Sequence, residues 1–176
     1  MKTIEDNLQI RIESILKQFH TKAVIFDLDG TLLDNNSFHR KSWVEYLKKM
    51  GRKISEEEFN KNINGRTNKD VVKYIYGKNK SDEEIIRHTL EKEALYRKIY
   101  KPFIKPVTGL INFLEILKNE NIPMAIATSG IQPNIDFMFE NIPIKKYFEK
   151  VVNSSHITNG KPNPEIYLKT ASLLGV

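Results

Sequence analysis

The chain has 176 residues, 40% of them hydrophobic, which allows a folded core and excludes a disordered protein. It contains no cysteine, so disulfide frameworks and cysteine metal sites are excluded. The formal net charge is +6, but lysines are interspersed with acidic residues and form no dense basic block. This pattern favours a solvated surface over a nucleic-acid-binding face, and a modest positive field would also attract a phosphorylated substrate.

The N-terminal segment, residues 1–20, is predicted to be an amphipathic helix. Acidic and polar residues interrupt any apolar centre, so it does not read as a signal peptide, and no stretch of the sequence is apolar enough to cross a bilayer. Its apolar residues fall on one helical face, which would pack on the protein or form a dimer contact: Ile4, Leu8, Ile12, Ile15, Leu16 and Phe19. We expect a cytoplasmic protein with no membrane or nucleic-acid partner, monomeric or weakly dimeric.

Three short apolar runs are typical of buried parallel strands. They cover residues 22–26, 124–127 and about 150–153. A helical pattern precedes each of the later two, at Leu110–Leu117 and at about 135–140. A last helix is predicted from Asn163 as its cap, Pro164 in its first turn and Gly175 at its end. Strands that alternate with helices predict an α/β fold with a parallel sheet.

A long segment without strand patterns, residues 35–103, is predicted to be a four-helix insert. The sheet domain would then comprise residues 21–34 and 104–176, and the Lys-Pro pairs at 101–102 and 105–106 would form the hinge. The helix boundaries are predicted from glycines and capping boxes: Gly51 and Gly77 as ends, Ser55 with Glu58 and Ser81 with Glu84 as starts, and about Lys101 as the end of the longest helix.

Polar residues follow each predicted strand. Asp27 and Asp29 follow the first, Thr128 and Ser129 the second, and Lys161 comes shortly after the third. Ligands of open parallel sheets bind beyond the carboxyl ends of the strands, so these side chains are expected to meet on one rim. A carboxylate nucleophile, a second carboxyl as acid and base, and hydroxyl and lysine donors together suit phosphoryl transfer. The alternative is an ordinary polar turn after a strand.

Three sequence segments carry a family resemblance: FDLDGT at residues 26–31, ATSG at 127–130 and GKPNPEIY at 160–167. They resemble the first three motifs of the haloacid dehalogenase superfamily of phosphotransferases, and the insert after the first motif looks like the family's helical cap. Within the superfamily the chain is most similar to the β-phosphoglucomutase-like phosphatases. The resemblance implies a Rossmann-like sheet and a Mg²⁺-dependent phosphatase of small phosphorylated metabolites, sugar phosphates above all.

The resemblance also implies roles for individual residues. Asp27 would be the nucleophile and a Mg²⁺ ligand, and Asp29 the general acid and base with its backbone carbonyl on the metal. Thr128, the Ser129 amide and Lys161 would bind the phosphoryl oxygens. Dehalogenation is less expected, because family dehalogenases lack the second aspartate.

Three residues of the insert are candidate substrate contacts by the same resemblance: His39, Arg66 and Asn68. A lone histidine on a helix is also often a plain surface residue. The mutases place an arginine where this chain has Asn68, with Arg66 directly after the glycine, which weakens the case for a mutase. Trp43 is expected in the core of the insert, and His20, His88 and His156 are given no role.

The family's fourth motif, an acidic pair after a further strand, has no counterpart before Val176. We therefore expect a C-terminally truncated core with weak Mg²⁺ binding and slow turnover. Three alternatives stay open: a β-phosphoglucomutase-type mutase, a catalytically impaired binding domain, and a structural role through the N-terminal helix.

Overall fold

The structure is a computed structural model that describes residues 4–64, 66–77 and 79–176, with side chains from Leu8 onward. It divides into two compact units. The sheet unit comprises residues 4–34 and 105–176, and the helical unit is Asn35–Ile104. The described elements, in chain order, are α1 Ile4–Gln18, β1 Val24–Phe26, α2 Asn36–Lys49, α3 Glu56–Asn62, α4 Asn68–Tyr76, α5 Asp82–Tyr100, α6 Leu110–Asn119, β2 Met124–Ala127, α7 Gln132–Asn141, β3 Lys150–Val152 and α8 Glu165–Leu173.

The sheet has the order β1-β2-β3 in the described residues, and both pairings are parallel. The register pairs Phe26 with Ile126 and Ile126 with Val151. The predicted α/β fold with a parallel sheet is therefore confirmed. Strand β1 begins two residues later than predicted, where the Val24 N–H donates to the Pro123 carbonyl at 2.9 Å. Pro123 has no N–H to offer, so the ladder cannot extend further back through it.

The core of the sheet unit is built around β2, whose four residues are all buried. The ring of Phe26, at the end of β1, packs edge-on against Phe113 and Phe148, with centroids 6.0 and 5.8 Å away. Helix α6 buries Leu114 and Leu117, two of the residues whose spacing predicted it. The fully buried central strand gives the loops after the strands a rigid base.

The helix that follows β3, α8, ends as the sequence predicted but begins one residue later. The Asn163 side-chain oxygen accepts from the Glu165 N–H at 2.9 Å, and Pro164 occupies the N-cap position. Gly175, directly after the helix, has φ +74°, a conformation that favours glycine. Helix α7 instead begins at Gln132, earlier than predicted, because Pro133 suits its first turn.

The helical unit contains α2 to α5 and its own hydrophobic core, in which Trp43 is buried as predicted. The capping box at α5 is complete: Ser81 Oγ accepts from the Glu84 N–H at 3.2 Å, and Glu84 Oε2 accepts from the Ser81 N–H at 3.1 Å. At α3 the Ser55 hydroxyl accepts from the Glu58 N–H at 3.1 Å, while the Glu58 carboxylate is held by Arg52 and Tyr74.

Helix α1 contacts α6 but leaves much of its apolar face in solvent. Phe19 is 70% exposed and Leu8 is 50% exposed, so the helix packs on the sheet unit less fully than expected. Along the part of the chain that the structure describes, every helix is too short or too polar to traverse a lipid bilayer.

Candidate active site

The strand register places the first two motifs side by side. Phe26 and Ile126 are paired, so Asp27, directly after β1, and Ala127, the last residue of β2, occupy neighbouring positions at the same edge. Thr128 follows Ala127, and its N–H donates to the Val152 carbonyl at 2.9 Å, which extends the ladder beyond β2. Parallel pairing alone therefore brings an aspartate and a threonine to one rim of the sheet.

Asp27 forms an ion pair with Lys161, the candidate lysine from the third motif. Lys161 Nζ lies 2.9 Å from Asp27 Oδ1, and the two side chains are 24% and 34% exposed. The same ammonium donates to the Ala127 carbonyl at 3.2 Å, and Asp27 Oδ1 also accepts from the Leu28 N–H at 2.8 Å. One carboxylate oxygen is thus held by two donors, while both side chains stay accessible to a ligand.

Asp29 lies in a tight turn that folds back on itself. The Gly30 N–H donates to the Leu33 carbonyl at 2.8 Å, and Gly30 has φ +72°, which a residue with a Cβ adopts only at a cost. Leu28 and Leu33 are buried beneath the turn. The aspartate itself is half-buried in this turn.

The Asp29 carboxylate lies close to the loop after β2. A Cβ added to Gly130 would lie 3.8 Å from Asp29 Oδ2 and 3.2 Å from Thr128 Oγ1, so the three residues share one small space. Thr128 is fully buried, and its hydroxyl accepts from the Gly130 N–H at 2.9 Å. A hydroxyl that accepts one bond still has a proton to donate. Ser129 is exposed at the tip of this loop.

The loop after β3 is tied to the loop after β2. Ser154 Oγ donates to the Gly130 carbonyl at 3.1 Å, and the Asn153 amide donates to Gln132 Oε1 at 2.8 Å. Asn153 is 2% exposed and its side-chain oxygen accepts from the Ser155 N–H. These bonds hold together the two loops that carry Thr128 and lead to Lys161, an arrangement that the sequence analysis did not predict.

The donor set at this rim suits Mg²⁺. In the described residues there is no group of three or more His, Cys, Asp and Glu side chains that could hold a metal ion. Mg²⁺ does not need one, because it binds through one or two carboxylates, keeps several waters and takes substrate phosphate oxygens. The Asp27 carboxylate and the Asp29 backbone carbonyl provide hard oxygen donors and fit the ion.

The helical unit contains a buried charged cluster that includes two predicted substrate residues. Lys92 and Glu93 are 1% and 3% exposed, and Lys92 Nζ lies 2.9 Å from Glu93 Oε1. His39 Nδ1 lies 3.1 Å from Lys92 Nζ, and the Asn68 amide donates to Glu93 Oε1 at 2.9 Å. Because an ammonium has only donors, His39 Nδ1 can take part in this contact only as an acceptor. Arg66 is exposed.

The sequence analysis missed Lys92 and Glu93, although a pattern could have revealed the lysine. Ile85, His88, Lys92, Tyr96 and Tyr100, all buried residues of α5, follow one another at three- and four-residue spacing. A lysine on such an apolar face is buried with it. The stacking of His39 on Tyr96, with centroids 3.8 Å apart, completes the cluster.

Comparisons with known proteins agree with this geometry. A haloacid dehalogenase-like hydrolase from Entamoeba histolytica is 39% identical, with a TM-score of 0.80 over 89% of this chain and 71% of its own. A β-phosphoglucomutase from Clostridium difficile is 26% identical, with a TM-score of 0.75 over 89% of this chain and 72% of its own. A phosphorylated carbohydrates phosphatase from Thermotoga maritima is 25% identical over 155 residues, 88% of this chain and 71% of its own.

The family itself is shown by a match over most of the sequence. The family model for haloacid dehalogenase-like hydrolases covers residues 24–176, from the first residue of β1 onward. The resemblance drawn from the three motifs and the prediction of a hydrolase are therefore confirmed. This chain belongs to the haloacid dehalogenase-like hydrolases.

Proposed function

We propose that the protein is a phosphatase that hydrolyses phosphoric monoesters of small metabolites, with sugar phosphates as the preferred class. The observation that carries the proposal is the ion pair of Asp27 and Lys161, at 2.9 Å, beside the buried hydroxyl of Thr128. The names of relatives support the substrate class, since a T. maritima relative is a phosphatase of phosphorylated carbohydrates.

In the proposed first step, Asp27 attacks phosphorus. Its Oδ1 is held by Lys161 and by the Leu28 N–H, which leaves Oδ2 to form the new bond. The bond between phosphorus and the ester oxygen breaks, and the leaving alkoxide takes a proton from Asp29. Thr128 Oγ–H and the Lys161 ammonium donate to the phosphoryl oxygens as their charge grows.

In the second step, water hydrolyses the aspartyl phosphate. Asp29, now a carboxylate, takes a proton from the attacking water, and the bond between phosphorus and Asp27 breaks. The products are the alcohol and inorganic phosphate, and both aspartates return to their starting protonation. Mg²⁺, held by Asp27 and Asp29, would supply positive charge that offsets the charge of the phosphoryl group.

A β-phosphoglucomutase activity is the second candidate, supported by the fold shared with the C. difficile enzyme. A mutase must hold a second phosphate, for which a free cation is best suited. In the buried charged cluster of the helical unit, Lys92 is paired with Glu93. The Asn68 side-chain amide donates to the same carboxylate. The neutral Asn68 stands where the mutases place an arginine, which favours a monophosphate substrate and therefore hydrolysis.

The test is phosphate release from a panel of sugar and nucleoside monophosphates with Mg²⁺. We expect release by the wild-type chain, a loss of at least a hundredfold in Asp27→Asn and Asp29→Asn, and loss on chelation of the metal. Asp136→Asn is the matched control, because this aspartate is exposed on α7, where it accepts a hydrogen bond from the Gln132 side chain at 2.8 Å.

Two results would contradict the proposal. Release from Asp27→Asn at the wild-type rate would exclude Asp27 as the nucleophile. A folded wild-type chain that releases no phosphate from any monoester would exclude the phosphatase itself. Phosphorus NMR of a hexose 1-phosphate reaction decides between the candidates, since a mutase yields an isomeric phosphate and a phosphatase yields inorganic phosphate.

A further inference from the structure

The segment that carries Lys161 is closed by a carboxylate from the start of α8. The Glu165 side chain accepts from the Thr158 N–H at 2.7 Å, from the Asn159 N–H at 2.8 Å and from the Asn159 side-chain amide at 2.9 Å. The backbone donors Thr158 and Asn159 lower the pKa of the Glu165 carboxyl. Residues 158–165 thus form a closed loop, and Lys161 lies within it.

An aromatic ring from the same helix lies beside the lysine. The Tyr167 ring centroid is 5.0 Å from Lys161 Nζ, within the range in which a cation is attracted to the face of a ring. Between Glu165 and Tyr167, Ile166 is fully buried against Ala127 and Val152 and anchors the first turn of α8 to the sheet. The ring therefore sits on a rigid base.

This arrangement restricts the position of the flexible Lys161 side chain. Lysine has a four-carbon stem and three rotatable donors, so holding its ammonium in one place costs conformational entropy. Two N–H groups have acceptors in Asp27 Oδ1 and the Ala127 carbonyl. A ring face adds attraction without adding an acceptor as strong as a carboxylate, so a third N–H can still be offered to a substrate oxygen.

We propose that Glu165 and Tyr167 are positioning residues for Lys161. Glu165 closes the loop from which Lys161 projects, and Tyr167 holds the ammonium against Asp27. The inference rests on the proposed function, in which Lys161 bridges the nucleophile and the phosphoryl group. Neither residue touches the substrate, so both act on catalysis through the lysine.

The first test needs no substrate. In the full chain labelled with ¹³C at lysine Cε, the Tyr167 ring shifts the Lys161 signal upfield by its ring current, and Lys161→Arg identifies that signal. We expect the upfield shift to vanish in Tyr167→Leu and to persist in Tyr167→Phe. A Lys161 signal that does not move in Tyr167→Leu would overturn the proposal.

The second test separates positioning from mere folding. Tyr167→Leu is expected to lower kcat roughly two- to fivefold, the size of an exposed to partly exposed cation–π interaction, with little change in KM. Tyr167→Phe keeps the ring and restores the rate. Leu168→Ala, at a 66% exposed neighbour on the same helix, is the control and stays at the wild-type rate.

Glu165→Gln keeps the shape but loses the charge of the acceptor, and it is expected to lower kcat in the same direction. Equal losses in Tyr167→Phe and Tyr167→Leu would overturn the role of the ring, as would an equal loss in Leu168→Ala. If the wild-type chain releases no phosphate at all, the proposed function fails, and the NMR comparison still decides whether Tyr167 holds Lys161.

Discussion

Replacing Lys92 with methionine is expected to destabilise the helical unit strongly. Lys92 is 1% exposed and pairs with Glu93, itself 3% exposed, at 2.9 Å. Methionine fills a similar volume, so the main effect is that the buried Glu93 carboxylate loses its ion pair with the Lys92 ammonium. Breaking a buried ion pair by removing one partner costs about 3–5 kcal/mol of stability. Because the Asn68 amide still donates to Glu93, we expect a loss in the free energy of unfolding at the lower end, about 3 kcal/mol.

The assay is urea unfolding followed by tryptophan fluorescence. The sequence has one tryptophan, Trp43, and its ring lies 4.9 Å from Lys92 Nζ, so the signal reports on the unit that carries the change. The matched control is Lys69→Met, because Lys69 and Asp82 form an exposed pair at 3.6 Å. Exposed pairs contribute little, so the control should shift the free energy of unfolding by less than about 1 kcal/mol.

A double substitution tests the physical reason. If the cost comes from an uncompensated charge, Lys92→Met combined with Glu93→Leu should cost less than the sum of the two single changes, by about 2 kcal/mol or more. The orphaned Asn68 amide would account for part of what remains. Additive costs, or a Lys92→Met protein as stable as the Lys69→Met control, would refute the reasoning.

Three further predictions concern other parts of the molecule. Gly130→Ala should reduce phosphate release more than stability, because the new Cβ would lie 3.2 Å from Thr128 Oγ1, and equal losses in both measurements would contradict this. Ser81→Ala should lower the free energy of unfolding by about 1 kcal/mol in denaturant titration through loss of the α5 cap, and no change would contradict it. Burial lowers the pKa of His88, so the unfolded chain binds the proton more readily: stability should fall as pH drops below about 6.5. His88→Phe should flatten that slope in unfolding measurements from pH 7 to pH 5, and an unaltered slope would assign the dependence to other groups.

Prediction from the sequence was most accurate where the hydrophobic pattern, the flanking proline or polar residues and the expected strand pairing all agree. Strand β2 was predicted residue for residue, because a run of four apolar residues between a proline and a hydroxyl has one solution in a parallel sheet. Asp27 and Lys161 were predicted to meet, because the carboxyl ends of parallel strands lie at one edge of the sheet. In the structure Lys161 Nζ lies 2.9 Å from Asp27 Oδ1. Their catalytic roles, like those of His39 and Arg66, stay predictions.

What the sequence did not reveal depends on packing between distant residues. The spacing along α5 indicates that Lys92 lies on the buried face, but its contact with His39, 53 residues away in the sequence, depends on the packing of α2 against α5. The hydrogen bond from the Thr158 N–H to the Glu165 carboxylate joins residues seven positions apart. It depends on the path of a loop, which no local sequence pattern encodes. Side-chain networks of this kind are set by the fold as a whole.

The shortness of β1 affects the local stability of the sheet edge that carries Asp27. This strand has three residues and, in the described sheet, one neighbouring strand, yet it carries the Asp27 backbone to its place opposite the loop after β2. Short edge strands open by local fluctuations at a lower free energy than global unfolding. Amide exchange at Val24 and Phe26 would then be faster than at Ile126, and urea would abolish hydrolysis before it melts the core. Catalysis would serve as the most sensitive probe of the integrity of one strand.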